Sequence, residues 1–181
     1  MNRPRRPAAE GADLHVHTTH SDGACSPCEV VRAAVNVGLR ALAITDHDTL
    51  SALAVARPEA DRLGIELVGG VELTAEESGR EIHLLGYFFR PDDPSLSEAV
   101  ERLRAARAGR IEAMAAKLAV LGLRVDLDAL RQRFPHATIG RRHLADWLVQ
   151  SRQVGDRREA FADWLAAPEN PYFGRAIVNR V

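Results

Sequence analysis

Four things are scarce in this chain, and each scarcity narrows its chemistry. No apolar run reaches the ~18 residues of a membrane-spanning helix. The opening MNRPRRPAAEG has no hydrophobic stretch of the kind a signal peptide needs, so a cytoplasmic protein without membrane partners is expected. Lys117 is the only lysine, and arginine carries the remaining basicity, which reads as genome composition. Charge of one sign is not in excess: the formal net charge of −1 exerts no global pull toward nucleic acid or a membrane surface. Cysteine is confined to Cys25-Ser26-Pro27-Cys28, with no second pair to complete a zinc site and no thioredoxin-like strand context. Helix capping explains that segment instead. Ser26 and Glu29 form a capping box, Pro27 takes the first helical position, and the helix is predicted to run to about Val37 and end on Gly38. No Ser–His–Asp arrangement is evident either.

What is present is enough for a globular domain with a subdomain: 181 residues, 46% apolar and 27% charged. Residues 1–11 read as a disordered, basic, proline-rich tail. A helix is predicted over 50–63, closed by Gly64. The character changes after the turn-rich Arg90-Pro91-Asp92-Asp93-Pro94. From Ser95 to Leu121, Val100, Leu103, Ile111, Met114, Leu118 and Leu121 recur at three- and four-residue spacing, which predicts one or two amphipathic helices. The opposite face holds Arg102, Arg104, Arg107 and Arg110 interleaved with Glu98, Glu101 and Glu112. A solvated face laced with salt bridges is expected there. Phe161 and Trp164 are expected in the core.

The most informative stretch is Asp13-Leu14-His15-Val16-His17-Thr18-Thr19-His20-Ser21-Asp22. In a strand alternate side chains share a face, so His15 and His17 point the same way. Two imidazoles with Asp22 in reach suit a divalent cation. Three further sites repeat the theme: the run 39–44 ends in Thr45-Asp46-His47-Asp48, the run 65–71 ends in Glu72, and His83 lies in the apolar segment 81–87. The earlier runs read as buried strands followed by loops or helices, the period of a parallel βα architecture. Strand C-terminal ends in such folds face one way and carry the site. Singly, His47 could cap a helix, Glu72 could end a strand in solvent and His83 could be a satisfied core histidine. Together they are expected to converge. Asp46 or Asp48 is expected to orient an imidazole from behind. Further along, Thr138-Ile139-Gly140-Arg141-Arg142-His143 opens a helix, where backbone N–H groups and arginine attract anions. An arginine-rich helix start at the surface is the other reading.

DLHVHT, Ser21-Asp22-Gly23, LAITDHDT, Gly70-Val71-Glu72 and HLLGY together resemble the motifs of the PHP family, named for polymerase and histidinol phosphatase domains. The pattern is nearest to stand-alone bacterial nucleoside 3′,5′-bisphosphate phosphatases and 5′-to-3′ exoribonucleases. The resemblance implies an α/β fold, a distorted (β/α)7 barrel of which this chain holds the first four strands, with a helical insertion. The implied layout is barrel with metal site over 12–90, insertion over 91–170 and a truncated return over 171–181. It implies divalent ions (manganese, zinc or iron, two or three in the family) on His15, His17, Asp22, His47, Glu72 and His83. His15, His17, His47 and Asp46 are the expected catalytic residues, and Arg141 and His143 the expected phosphate contacts. A later histidine and a final Asp-x-His pair of the family have no counterpart in this sequence. The resemblance further implies phosphoester hydrolysis by a metal-bridged hydroxide. Substrates would be small phosphate esters, nucleotides or short single-stranded nucleic acid. A histidinol-phosphatase-like enzyme and an inactive metal-binding remnant are the alternatives, and an unclosed barrel edge would favour self-association.

Overall fold

In the computed structural model residues 11–165 are described, apart from Gly79. The tail expected over 1–11, Gly11 excepted, and the return expected over 171–181 lie outside the described residues. Elements follow in the order β1 (Ala12–Val16), α1 (Pro27–Val37), β2 (Ala41–Ile44), α2 (Ser51–Leu63), β3 (Glu66–Glu77) and β4 (Arg80–Tyr87). They continue with α3 (Pro94–Val120), α4 (Leu127–Arg133), α5 (Arg141–Gln150) and α6 (Arg157–Glu159), which runs into a π-helical segment, Ala160–Leu165.

Local chemistry accounts for most of these boundaries. The Ser26 N–H donates to Glu29 Oε2 at 2.7 Å and the Glu29 N–H donates back to Ser26 Oγ at 3.4 Å, the reciprocal pair that starts α1. Gly38 ends it in the left-handed region at φ 87°, where a side chain would be strained. Asp93 caps α3 by accepting from the Ser95 and Leu96 N–H groups at 2.9 and 3.2 Å. That helix is one unbroken rod of 27 residues.

The four strands lie in the order β1-β2-β3-β4, with β1 and β4 outermost in the described sheet. β1, β2 and β3 run parallel, as the βα period predicts. β4 does not extend that pattern: it pairs antiparallel with β3 from Gly70↔Tyr87 to Glu77↔Arg80. β3 is also longer than its apolar run, so Glu72 lies inside a strand and not at its end. Glu72 sits just past Gly69, the last residue paired with β2. There β3 bridges instead to His47.

Two apolar cores result. One packs α1 and α2 against the sheet through Val31, Leu42, Ile44, Leu53 and Ala56. The other gathers Ile111, Met114, Leu118, Leu130, Leu144, Leu148 and Leu165 from the helical segment, with Phe161 and Trp164 packed on it as expected. Each fully buried aliphatic side chain contributes about 1.5–3 kcal/mol relative to exposure. Leu14, Leu84, Leu85 and Phe88, on or beside the outer strands, remain exposed. No helix among the described residues is long and apolar enough to cross a membrane.

The arginine face of α3 departs from expectation at two positions. Arg102 and Arg104 pair with Glu98 and Glu101 at the surface, but Arg107 and Arg110 are buried. For Arg107 the reason is Asp48, 59 residues earlier, whose carboxylate receives Arg107 Nε at 2.8 Å. An arginine is buried only where its charge is met.

Candidate metal centre

The strand pleat sets His15 and His17 on one side of β1, and their Nε2 atoms lie 3.1 Å apart. Both face a single carboxylate oxygen: Glu72 Oε2 is 2.9 Å from His15 Nε2 and 2.9 Å from His17 Nε2. His47 brings its Nδ1 to 3.7 Å from the same oxygen. From β4, His83 places its Nδ1 3.0 Å from Glu72 Oε1. That approach follows from the register: His83 stands opposite Thr74, two residues along the same face from Glu72. Asp22 lies 3.5 Å from His17 Nδ1 and 4.0 Å from His47 Nε2. All six expected ligand positions therefore come together.

These groups form three overlapping triplets: His15, His17 and Glu72; His17, Asp22 and His47; His47, Glu72 and His83. Within each triplet the ligand atoms lie within 4.8 Å of one another. Ligand atoms about 2.1 Å from a tetrahedral ion stand about 3.4 Å apart, and the distances around Glu72 cluster near that value. His47 Nδ1 is buried without a hydrogen-bond partner, aimed toward the carboxylate. An orphaned buried nitrogen facing an acid suits a cation between them. Burial, reinforced by the Arg107 guanidinium, pulls the His47 imidazole down to about 4. It is therefore neutral at pH 7, as a ligand must be. The residues fit divalent cations.

A second layer holds these groups in place. Asp46, buried, accepts from the Thr18 N–H at 2.7 Å, Thr18 Oγ1 at 2.6 Å and Ser21 Oγ at 2.5 Å. Ser21 Oγ, its proton committed to Asp46, lies 3.2 Å from His17 Nδ1 and accepts from it. That arrangement leaves the lone pair on Nε2, toward Glu72. Asp46 thus steadies an imidazole from behind through a serine. Gly23 lets the loop fold back here, because a Cβ at this position would stand 2.3 Å from the His17 carbonyl oxygen.

Beside the cluster opens a cavity of about 130 Å³. Asp22, His47 and His83 form its sheet side, and Arg107, Arg110, Arg141 and Arg142 its helical side. Arg141, expected as a phosphate contact, lines this cavity. His143 does not line the cavity: it is buried, with Nδ1 accepting the Gly140 N–H at 3.0 Å and its ring set edge-on to Phe134 at 4.9 Å. A larger cavity of about 220 Å³, walled by Ile111, Leu127 and Ile139, holds none of the clustered histidines or acids. Arg110 was expected on the solvated arginine face of α3, and Arg142 was read only as part of the Thr138–His143 stretch that opens α5; the cavity takes in both.

Comparison with known proteins agrees with this geometry. Residues 13–90 match the model of the PHP domain. The chain is 35% identical over 161 residues to a 3′,5′-nucleoside bisphosphate phosphatase of Chromobacterium violaceum, covering 88% of this chain and 56% of that protein. It is 33% identical over 160 residues to a 5′-3′ exoribonuclease of Haemophilus influenzae, with 88% and 58% covered. The crystal structure of a candidate metal-dependent phosphoesterase from Bifidobacterium adolescentis superposes with a TM-score of 0.85 at 31% identity. That superposition covers 97% of this chain and 62% of the other. The chain therefore spans little more than half the length of these relatives. Residues 13–90 of this chain belong to the PHP domain family.

Proposed function

We propose that this chain binds divalent cations at the His15–His17–Asp22–His47–Glu72–His83 cluster and serves the hydrolysis of phosphate esters, with small nucleotides or nucleic-acid ends as substrates. The observation that carries this reading is the Glu72 carboxylate, 7% exposed, facing four imidazoles beside an arginine-lined cavity. Mixed imidazole and carboxylate donors suit zinc, manganese or iron. Such ions supply Lewis acidity toward the phosphoryl oxygens and a nucleophile at neutral pH.

The chain's own groups do the rest. Glu72 joins two of the three triplets, turning one oxygen toward His15, His17 and His47 and the other toward His83. Asp46 and Ser21 keep the His17 ring turned with Nε2 inward. Arg141 and Arg142 occupy the first turn of α5, where backbone N–H groups add to the pull on an anion. With Arg110 on the opposite helix, they hold a phosphoryl group against the cluster.

The names of two relatives, a nucleoside bisphosphate phosphatase and an exoribonuclease, direct the choice of substrates. The test is phosphate or nucleotide release by the purified chain with Mn²⁺, from adenosine 3′,5′-bisphosphate and from a short single-stranded RNA, against histidinol phosphate. Release abolished by chelator and by Glu72→Gln is the expected result. A chain that binds no Mn²⁺ in calorimetry and releases nothing from any of the three substrates would end the proposal.

A further inference from the structure

We infer that Arg107 is a positioning residue for the metal centre: it acts through Asp48 to fix the backbone that carries His47 and Glu72. The inference rests on the cation-binding reading above and adds to it a residue from the helical segment.

The geometry begins at Asp48. Its backbone is in the left-handed region at φ 50°, which is uncommon for a residue with a side chain. Such a conformation persists where the surroundings over-determine it, and here they do. The Asp48 N–H donates to the Glu72 carbonyl at 2.9 Å. Its carboxylate accepts the Thr74 N–H at 2.8 Å and Thr74 Oγ1 at 2.9 Å. Asp48 therefore grips β3 on both sides of Leu73, at the residue that supplies the shared carboxylate and at the one opposite His83. His47 is the residue just before it. One side chain thus sets the spacing between two of the clustered groups.

That grip leaves a carboxylate with no solvent access. Arg107 answers it. Its Nε donates to Asp48 Oδ2 at 2.8 Å and its terminal nitrogen to Thr74 Oγ1 at 2.6 Å. The planar fork engages both members of the Asp48–Thr74 pair at once, which a lysine ammonium cannot do in the same plane. A second tie from the helical segment reaches the same backbone: Thr138 Oγ1 donates to the His47 carbonyl at 2.7 Å. Arg107 also lines the cavity beside the cluster, but the role inferred here asks of it no contact with ion or substrate. Its effect runs through Asp48 to the positions of two ligand-bearing residues, and outer partners of this kind are typically worth ~10–100-fold in metal affinity.

The experiment measures Mn²⁺ affinity by isothermal titration calorimetry and Tm by calorimetry of the metal-free protein. Wild type, Arg107→Lys, the double variant Asp48→Asn with Arg107→Met, and an Arg104→Lys control are compared. Arg104 lies on the same helix and pairs with Glu101 at the surface. Arg107→Lys is expected to weaken Mn²⁺ binding at least about tenfold while the metal-free Tm stays within a few degrees of wild type. The double variant, which removes the uncompensated charge, is expected to fold and to bind Mn²⁺ as weakly, and Arg104→Lys to match wild type. Unchanged Mn²⁺ affinity in the Arg107 variants, with or without a fall in Tm, would overturn the inference. So would failure of both to fold, which would make Arg107 a pillar of the fold alone. A wild type that binds no Mn²⁺ refutes the cation-binding reading itself, a different and distinguishable failure.

Discussion

Replacing Asp46 by asparagine keeps the shape of the side chain but removes the charge that three donors share. In the native loop Oδ1 receives the Thr18 N–H and Ser21 Oγ, and Oδ2 receives Thr18 Oγ1. Asparagine can still accept at one position. At the other it presents an NH₂ to the Thr18 hydroxyl, which must rotate from donor to acceptor while it also accepts the His20 N–H at 3.1 Å. Hydrogen bonds to a charged group are worth ~1.5–3 kcal/mol and neutral ones ~0.5–1.5. Three bonds losing about 1 kcal/mol each give a destabilisation of about 3 kcal/mol. With a urea m-value of about 2 kcal/mol/M, the unfolding midpoint of the metal-free chain should fall by about 1.5 M. The loop holding Ser21 against His17 loosens as well, so Mn²⁺ binding measured by calorimetry should weaken about tenfold. A midpoint within 0.3 M of wild type (about 0.6 kcal/mol at that m-value) together with unchanged Mn²⁺ affinity would refute the account of Asp46 as the anchor of this loop.

Leu118→Ala opens a hole in the helical core, where the side chain is fully buried, and should cost ~2–5 kcal/mol in denaturant unfolding. Since Leu118 is not part of the sheet-side core, Mn²⁺ affinity at low denaturant should be retained. Burial holds the His143 imidazole below its usual value of 6.5. The folded chain thus prefers it neutral, and stability that is intact above pH 6.5 declines as the pH falls below that value. His143→Gln should flatten this decline in a pH series of urea midpoints, and an unchanged slope would show that other groups govern it. Gly23→Ala forces a methyl onto the His17 carbonyl and should lower both Tm and metal affinity, a result checked by thermal unfolding with and without Mn²⁺.

Where a residue's environment is set by its near neighbours, the sequence was readable. The Ser26–Glu29 box, the glycine stops at 38 and 64 and the shared face of His15 and His17 all follow from local rules, and the parallel β1-β2-β3 order follows from the alternation of runs. Glu72 misled only in its position on the strand. Its charge interrupts the apolar pattern because the histidine cluster, not the core, encloses it, so β3 looked finished where it continues to Glu77. The antiparallel turn-back into β4 was hidden for the same reason. Arg107 was illegible for another: in a helix where arginines alternate with glutamates, burial depends on a carboxylate from a distant loop, and no spacing on α3 records it. His143 carried an anion-binding pattern, yet Phe134 and the Gly140 N–H claim its ring for packing.

Among the described residues β1 has a hydrogen-bonded neighbour on one side only, and it carries His15 with His17 immediately after it. The first imidazoles of the cluster are therefore mounted on one of the two outer strands of the described sheet, where restraints against fraying are fewer than at its centre. A cation joining them to Glu72 would act as a rivet, pinning the sheet's outer margin to its third strand. Amide protons near the start of the chain would then be the ones whose exchange with solvent slows most when the centre fills.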